Sequence, residues 1–157
     1  MAAEVIVSEN GLGRYQQEII VGQHRMLADE PASLGGADAG PAPFDFLMSG
    51  LGACTSMTLR MYAERKGLDL TGIRVTLKHR KVEIDGLLRD CIDREISLEG
   101  ALTIEQRQRL LEIANKCPVH RALSQSFVLE CALAKEGNPK PDNGIRVAFV
   151  PESCDAQ

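Results

Sequence analysis

Five cysteines offer the chain its main scope for chemistry, and Cys117 has the most informative neighbours. It directly precedes Pro118, so we expect it at the N-terminal end of a short helix, where free N–H groups and the helix dipole stabilise an anion. Lys116, His120 and Arg121 add positive charge beside it. Because the thiolate is the reactive form of cysteine, this position favours a reactive thiol, and the alternative interpretation is a structural cysteine at a strand edge or turn.

Cys54 lies within a proline-free segment at residues 44–66. Apolar and small residues recur there at three- or four-residue steps, at Leu47, Leu51, Cys54, Thr58 and Met61. This period predicts a helix, and its apolar middle predicts that the helix is buried. An isolated buried cysteine is usually a small apolar core residue. The pattern therefore does not decide whether Cys54 packs in the core or is a reactive thiol.

The other three cysteines, Cys91, Cys131 and Cys154, are interpreted as structural. Cys131 alternates with Leu129 and Leu133, so we expect it to face the core. The cysteines are odd in number and include no Cys-x-x-Cys pair, which is typical neither of a zinc site nor of a secreted disulfide framework. No metal is therefore predicted.

A Cys–His pair for acyl transfer is a second interpretation of the same residues. Its nucleophile would be Cys117 or Cys54, and its base would be His120 or His24. No G-x-S-x-G, Walker or Rossmann pattern accompanies them. A thiol hydrolase or transferase thus stays an alternative to redox chemistry.

The elements that must position these residues alternate between strand and helix patterns. Strands are predicted at 4–8, 15–21, 73–79, 93–98, 127–133 and 145–150, and helices at 44–66, from 104 and at 118–124. The second helix opens at a capping box, Thr103 with Gln106, and its expected inward stripe is Ile104, Leu111 and Ala114 with Leu110 beside it. The strand-to-strand links are too short for parallel crossovers, so the predicted class is α+β, with antiparallel sheets around a long central helix.

Composition restricts the possible partners. The chain has 157 residues, a formal charge of −4 and 44% hydrophobic residues, which predicts one globular domain over 1–157. Mild acidity argues against a nucleic-acid partner. No apolar run approaches the roughly 20 residues of a membrane span, and the N-terminus lacks the features of a signal peptide. We therefore expect a cytoplasmic protein that binds neither nucleic acid nor membrane.

Three segments together resemble the OsmC/Ohr family of osmotically inducible and organic-hydroperoxide-resistance proteins, in particular its OsmC-like branch. They are G-P-A-P-F-D-F-L at 40–47, G-L-G-A-C-T at 50–55 and K-C-P-V-H-R-A-L at 116–123. The resemblance implies an intertwined homodimer with the long helices at its centre and active sites at the subunit interface. It also implies a thiol-dependent peroxidase that uses no metal and no organic cofactor.

By the same resemblance, Cys54 is the peroxidatic cysteine, which attacks an organic hydroperoxide and becomes a sulfenic acid. Cys117 then resolves that acid as a disulfide, and an external dithiol reductant restores both thiols. The family's activating arginine corresponds to Arg25, with Arg14 as the other candidate.

This sequence departs from the family pattern at the acid that precedes the first cysteine by ten residues. Phe44 occupies that position, and Asp45 is one residue away, which is about 100° of rotation on a helix. Without a nearby cation, a thiol in an apolar helix reacts slowly. The alternative function is therefore an OsmC-like binding module for an apolar small molecule, with inactive cysteines.

Overall fold

Antiparallel sheets and one long helix form the fold. The structure is a computed structural model that describes residues 4–125, 127–133 and 147–149. Strands in these residues form one three-stranded sheet and two two-stranded sheets. Every pairing within the sheets is antiparallel. The predicted α+β class with antiparallel sheets and a long helix is confirmed.

The N-terminal segment forms the three-stranded sheet. Its strands are β1 (Val5–Glu9), β2 (Gln17–Val21) and β3 (His24–Ala28), paired in that order. Gly22, with a φ of 60°, supplies left-handed backbone in the tight turn between β2 and β3. The first two strands were predicted, but β3 was not. Its residues do not alternate between apolar and polar, so the strand depends on backbone pairing with β2 rather than on a visible pattern.

A loop held by one buried carboxylate leads from β3 to the long helix. Asp29 is only 2% exposed, and it accepts hydrogen bonds from the backbone N–H groups of Glu30, Ala37 and Ala39 at 2.8–3.2 Å. Its own N–H donates to the carbonyl of Pro41 at 3.3 Å. The side chain therefore fixes the path by which the chain enters the helix.

The long helix is α1 (Pro43–Lys66), and local signals define both of its ends. Pro43 lies in the first turn, where its missing N–H loses no helical hydrogen bond. Gly67 follows the last turn with a φ of 61°, and its N–H binds two carbonyls of that turn. The predicted helix and its C-terminal glycine are confirmed.

The inward side of α1 differs from the predicted one. Its buried residues follow mainly a four-residue step and are Leu51, Gly52, Thr55, Leu59 and Ala63. Leu47 and Met61, which were predicted to face inward, are 39% and 70% exposed. Apolar residues occur on both sides of this helix, so the period fits two neighbouring rows, and packing selects one. At Gly52 an added Cβ would lie 2.9 Å from Cδ1 of Leu77, so a larger residue here requires the Leu77 side chain to shift.

A long hairpin packs against α1. It consists of β4 (Gly72–Ile84) and β5 (Leu87–Glu99), joined by Asp85 and Gly86. Both turn residues have positive φ, at 52° and 77°, which is the backbone that Asp-Gly supplies in a two-residue hairpin. The strands extend several residues beyond the predicted 73–79 and 93–98, because charged residues near the turn hid their continuation.

Two further helices follow the hairpin. α2 (Ile104–Ala114) begins at the predicted capping box: the Gln106 N–H donates to Oγ1 of Thr103 at 3.2 Å, and the Thr103 N–H donates back to the Gln106 side chain at 2.9 Å. α3 (Pro118–Leu123) begins after Cys117, as predicted.

The buried core lies between α1 and α2, around Leu59, Leu110 and Ala114. The predicted stripe of α2 is wrong at two positions, because Ile104 is 81% and Leu111 is 48% exposed. Ile104 is the first residue of the helix, and both residues line an open cavity beside β5.

The last described strands, β6 (Leu129–Cys131) and β7 (Val147–Phe149), pair with each other. They lie within the predicted strands at 127–133 and 145–150. Cys131 is exposed, together with Leu129 and Leu133, so its expected place in the core is wrong for the single chain. Alternation identifies residues that share a face, but it does not say what covers that face. Cys154 lies outside the described residues.

Adjacent leucines on α2 provide a matched test of the core. Leu110 is fully buried, and Leu110→Ala is expected to lower the free energy of unfolding by about 2–5 kcal/mol, because it removes buried atoms and leaves a cavity. Leu111→Ala is expected to cost less than about 1 kcal/mol. Urea denaturation of both variants measures the difference, and equal costs would contradict the observed orientation of α2.

Asp29 predicts a pH dependence of stability. Burial raises the pKa of its carboxyl group, but the hydrogen bonds from three backbone N–H groups and from Gln16 outweigh burial, so the pKa in the folded protein is lowered. Ionised Asp29 therefore stabilises the folded state at pH values above the pKa of an ordinary carboxyl group. This stabilisation is lost as the pH falls through the lowered pKa that Asp29 has in the folded protein. We expect Asp29→Asn to lower the melting temperature at pH 7, and the difference from the parent protein to shrink in acid. Asp38→Asn, in the same loop but exposed, is the control. An equal effect of both substitutions would contradict this prediction.

Candidate redox site

Cys117 and Cys54 meet where α3 approaches α1. Cys117 is fully buried at the N-cap of α3, and its Sγ accepts a hydrogen bond from the His120 N–H at 3.3 Å. The same sulfur lies 3.7 Å from Oγ1 of Thr55 on α1. Cys54 is half-buried and directly precedes Thr55 on α1, and its side chain acts on the Cys117 thiol to lower its pKa. The two cysteines singled out in the sequence are therefore neighbours, and both are free thiols.

Opposing effects set the pKa of the Cys117 thiol. Burial raises this pKa and is the largest single effect. The hydrogen bond from the His120 N–H lowers it, and the contacts with the Thr55 and Cys54 side chains lower it further. The positive charge of Arg94 acts in the same direction. The lowering effects together outweigh burial, so the pKa of Cys117 lies below the usual value of a cysteine thiol.

Arg94 on β5 is a functional candidate that the sequence patterns did not reveal. Its Nη1 donates to Oγ1 of Thr55 at 2.8 Å and to the carbonyl of Ala114 at 3.3 Å, and its Nη2 donates to Oδ1 of Asn115 at 2.8 Å. One signal was present in the sequence. Arg94 alternates with Ile92 and Ile96, so a charged residue occupies the inward row of a half-buried strand.

The two predicted activating arginines lie elsewhere in the chain. Nη1 of Arg25, on β3, pairs with Oε1 of Glu18 at 2.8 Å, and the Arg25 side chain is 66% exposed. The guanidinium of Arg14 lies 5.0 Å from the centre of the Tyr15 ring. Among the described residues, neither arginine is found in contact with a cysteine thiol.

At the start of α1, Phe44 occupies the position at which the family has an acid, and its side chain makes a stacking contact instead. The ring of Phe44 stacks on the ring of His79 with 4.2 Å between centroids. Nε2 of His79 lies 2.8 Å from Oδ1 of Asp90, so the imidazole is held between an aromatic ring and a carboxylate. Asp45 accepts a hydrogen bond from the Ala42 N–H at 3.0 Å and thus binds the start of the helix.

A cavity of about 290 Å³ opens between the start of α1, β5 and α3; neither Cys54 nor Cys117 lines it, but Leu51 and His120, each three positions from one of these cysteines along the chain, do. Its apolar lining consists of Phe44, Leu47, Leu51, Ile92 and Leu123, and its polar lining of Asp90, His120 and Ser124. It is large enough for a small organic molecule with an apolar body.

The imidazole of His120 lines this cavity. Burial lowers the pKa of His120, and the charge of Arg94 lowers it further, so the ring is neutral at neutral pH. The group of His120 that binds the Cys117 sulfur is the backbone N–H, and no hydrogen bond between the imidazole and this sulfur is found in the described residues. His24, the other histidine proposed for a Cys–His pair, lies on exposed β3.

Neither a metal cluster nor a membrane span is found in the described part of the chain. No three His, Cys, Asp or Glu side chains gather there as a metal site requires. None of the helices there combines the length with the apolar character needed to cross a bilayer.

These features define an α+β protein in which two free thiols meet between a long helix and a short proline-initiated helix. The family model described as OsmC-like protein matches residues 35–132, a range that contains α1, the hairpin, both cysteines and Arg94. The chain belongs to the OsmC-like protein family. No curated protein matches it in sequence.

Solved structures share the fold at low sequence identity. The OsmC-like protein of Mycoplasma pneumoniae is 18% identical, with a TM-score of 0.67 over 79% of this chain and 88% of its own. The organic hydroperoxide resistance protein OsmC of Legionella pneumophila is 16% identical, with a TM-score of 0.62 over 78% and 89%. An organic hydroperoxide resistance protein of Elizabethkingia anophelis is 22% identical, with a TM-score of 0.60 over 78% and 87%.

The lowered pKa of Cys117 predicts an early thiolate. As the pH rises, this thiol is expected to ionise before an ordinary cysteine does, because the folded protein favours its charged form. The absorbance of thiolate at 240 nm, taken as the difference between the protein and Cys117→Ser, follows this group alone. A difference that appears only in the ordinary range of cysteine would contradict the prediction.

Proposed function

We propose that the protein is a thiol-dependent peroxidase that reduces organic hydroperoxides, with Cys54 as the peroxidatic and Cys117 as the resolving cysteine. The observation that carries the proposal is the position of two free thiols at the junction of α1 and α3, where the Cys117 sulfur lies 3.7 Å from the hydroxyl of Thr55, the residue that follows Cys54. Solved structures of the same fold are named as organic hydroperoxide resistance proteins, which supports the same chemistry.

The exposure of the two thiols supports this division of roles. Cys54 is half-buried and therefore accessible to a peroxide, whereas Cys117 is fully buried. The Cys54 sulfur attacks one peroxide oxygen, the O–O bond breaks, and the alcohol leaves after taking up a proton. Cys54 is thereby oxidised to a sulfenic acid. The neighbouring cavity, with its apolar wall, accommodates the organic part of the substrate.

The cycle closes through the second thiol. The Cys117 thiolate attacks the sulfur of the sulfenic acid, an S–S bond forms, and hydroxide leaves and takes up a proton as water. An external dithiol reductant then exchanges with the disulfide, restores both thiols and is itself oxidised. The chain's own residues supply every group for the first two steps, so the proposal includes no cofactor.

We place this reaction in a homodimer in the cytoplasm. Met57 and Met61 on α1 are 64% and 70% exposed in the single chain, and a second copy packed on α1 would cover them. In this arrangement Arg25, which pairs with Glu18 within its own chain, would act on a thiol across the subunit interface. The free cysteines suit a reducing compartment.

One stoichiometric addition of cumene hydroperoxide to the reduced protein tests the function. Peptide mass spectrometry is expected to find a Cys54–Cys117 disulfide, because the two sulfurs are neighbours. Cys54→Ser is expected to abolish peroxide consumption, whereas Cys91→Ser, which changes a half-buried thiol on β5, is expected to retain it.

Unmodified thiols after this treatment would contradict the peroxidase function. The binding-module alternative would then apply, with an apolar molecule in the cavity and inactive cysteines. Native mass spectrometry of the protein with apolar ligands distinguishes that outcome.

A further inference from the structure

Arg94 is held in place on more than one side. Its guanidinium binds an acceptor on α1, the carbonyl that ends α2, and the Asn115 side chain that follows α2. The acceptor on α1 is the hydroxyl of Thr55, which is fully buried. A planar guanidinium with several fixed acceptors has little freedom to turn, so its charge has a defined position relative to Cys117.

The hydroxyl of Thr55 has one hydrogen and two lone pairs. Arg94 donates to this oxygen and therefore occupies one lone pair. The hydrogen has two possible acceptors, the Leu51 carbonyl at 2.8 Å and the Cys117 sulfur at 3.7 Å. The Leu51 carbonyl also receives the helical N–H from four residues later, so turning the hydroxyl toward sulfur leaves no carbonyl without a donor.

We propose that Arg94 stabilises the Cys117 thiolate through the Thr55 hydroxyl and is thereby a positioning residue for disulfide formation, an inference that rests on the peroxidase function proposed above. With the thiol protonated, the hydroxyl donates to Leu51. With the thiolate formed, the hydroxyl donates to sulfur, and the bond from Arg94 makes it a stronger donor.

Arg94 is the charged group that acts on the Cys117 thiol. From α3 the sulfur meets the backbone of His120, whose imidazole is neutral at neutral pH. From α1 it meets Cys54, and from β5 the charge of Arg94 acts on it. Lys116 and Arg121, the charged neighbours of Cys117 along the chain, are exposed, and neither is found bonded to its sulfur in the described residues. The charge that lowers the pKa of this thiol is that of Arg94.

The step that benefits is the attack on the oxidised partner. The Cys117 thiolate forms a bond to the Cys54 sulfur, the S–O bond of the sulfenic acid breaks, and hydroxide takes up a proton as water. Arg94 and Thr55 are unchanged at the end. Because the new disulfide carries no charge, the Thr55 hydroxyl is then free to return to the Leu51 carbonyl.

The test compares Arg94→Gln with Arg107→Gln. Glutamine removes the charge of Arg94 while keeping a donor. Arg107 is the matched control, because it donates to the carbonyls of Leu98 and Gly100 on the same hairpin but does not contact Thr55 or Cys117. The thiolate absorbance of each variant at 240 nm is titrated with no peroxide present. The same titration is made on that variant with Cys117→Ser added, and the difference between the two curves is the signal of Cys117.

Disulfide formation is then followed from pH 5 to pH 10 after one addition of cumene hydroperoxide, with dimedone trapping of the Cys54 sulfenic acid. Arg94→Gln is expected to move the thiolate midpoint to higher pH. At pH 7 we expect disulfide formation about tenfold slower, because a smaller fraction of Cys117 is then in the thiolate form. More dimedone adduct should accumulate, and at high pH the rate should return to that of the parent protein. Arg107→Gln is expected to match the parent throughout.

A second pair of variants covers the case in which Arg94→Gln does not fold, as judged by circular dichroism. Thr55→Val removes the hydroxyl with little change of shape and is expected to move the midpoint in the same direction. Thr55→Ser keeps the hydroxyl and is expected to retain the parent midpoint and rate.

An unchanged midpoint in Arg94→Gln would overturn the inference, and so would an unchanged midpoint in Thr55→Val. A slow rate that high pH does not restore would overturn it as well, because it would indicate a structural role. Failure of the proposed function has a different signature: Cys54 stays unmodified by peroxide in the parent protein, whatever the titration shows.

Discussion

One buried hydroxyl connects the elements that hold the two cysteines. Thr55 of α1 accepts a hydrogen bond from Arg94 of β5 and faces the sulfur at the N-cap of α3. A buried polar group without a partner costs about 1–3 kcal/mol, so the three elements are restricted to positions in which these groups satisfy one another. Cys54 and Cys117 are neighbours because of that restriction. Cys54 precedes Thr55 on α1, and the Cys117 sulfur faces the Thr55 hydroxyl.

Small residues make this contact possible. Thr55 reaches both partners because α1 lies close to the hairpin, and Gly52, one turn earlier, removes the side chain that would clash with Leu77. Leu59 and Ala63 continue the same row into the core beside α2. The row that buries the helix is therefore also the row that carries the polar contact. Packing and electrostatics of the site are thus determined by one face of α1.

Local signals in the sequence predicted the parts of this arrangement that depend on neighbouring residues. The proline after Cys117 predicted its N-cap, and the capping box predicted the start of α2. The inward row of α1 was not predictable in this way, because both of its sides carry apolar residues and the choice depends on distant elements. The role of Arg94 depends on Thr55, 39 positions away along the chain, so no local pattern shows it.

The different burial of the two thiols explains why the fixed charge belongs to Cys117. Cys54 is half-buried and therefore accessible to water. A thiolate at fully buried Cys117 has no such access, and its formation requires donors that are already in position. The start of α1 supplies no free acid or cation to this region, since Asp45 binds the helix start and Phe44 stacks on His79. The stabilising charge therefore comes from the opposite side, from β5, where Arg94 occupies an otherwise apolar inward row and also joins α1 to the end of α2.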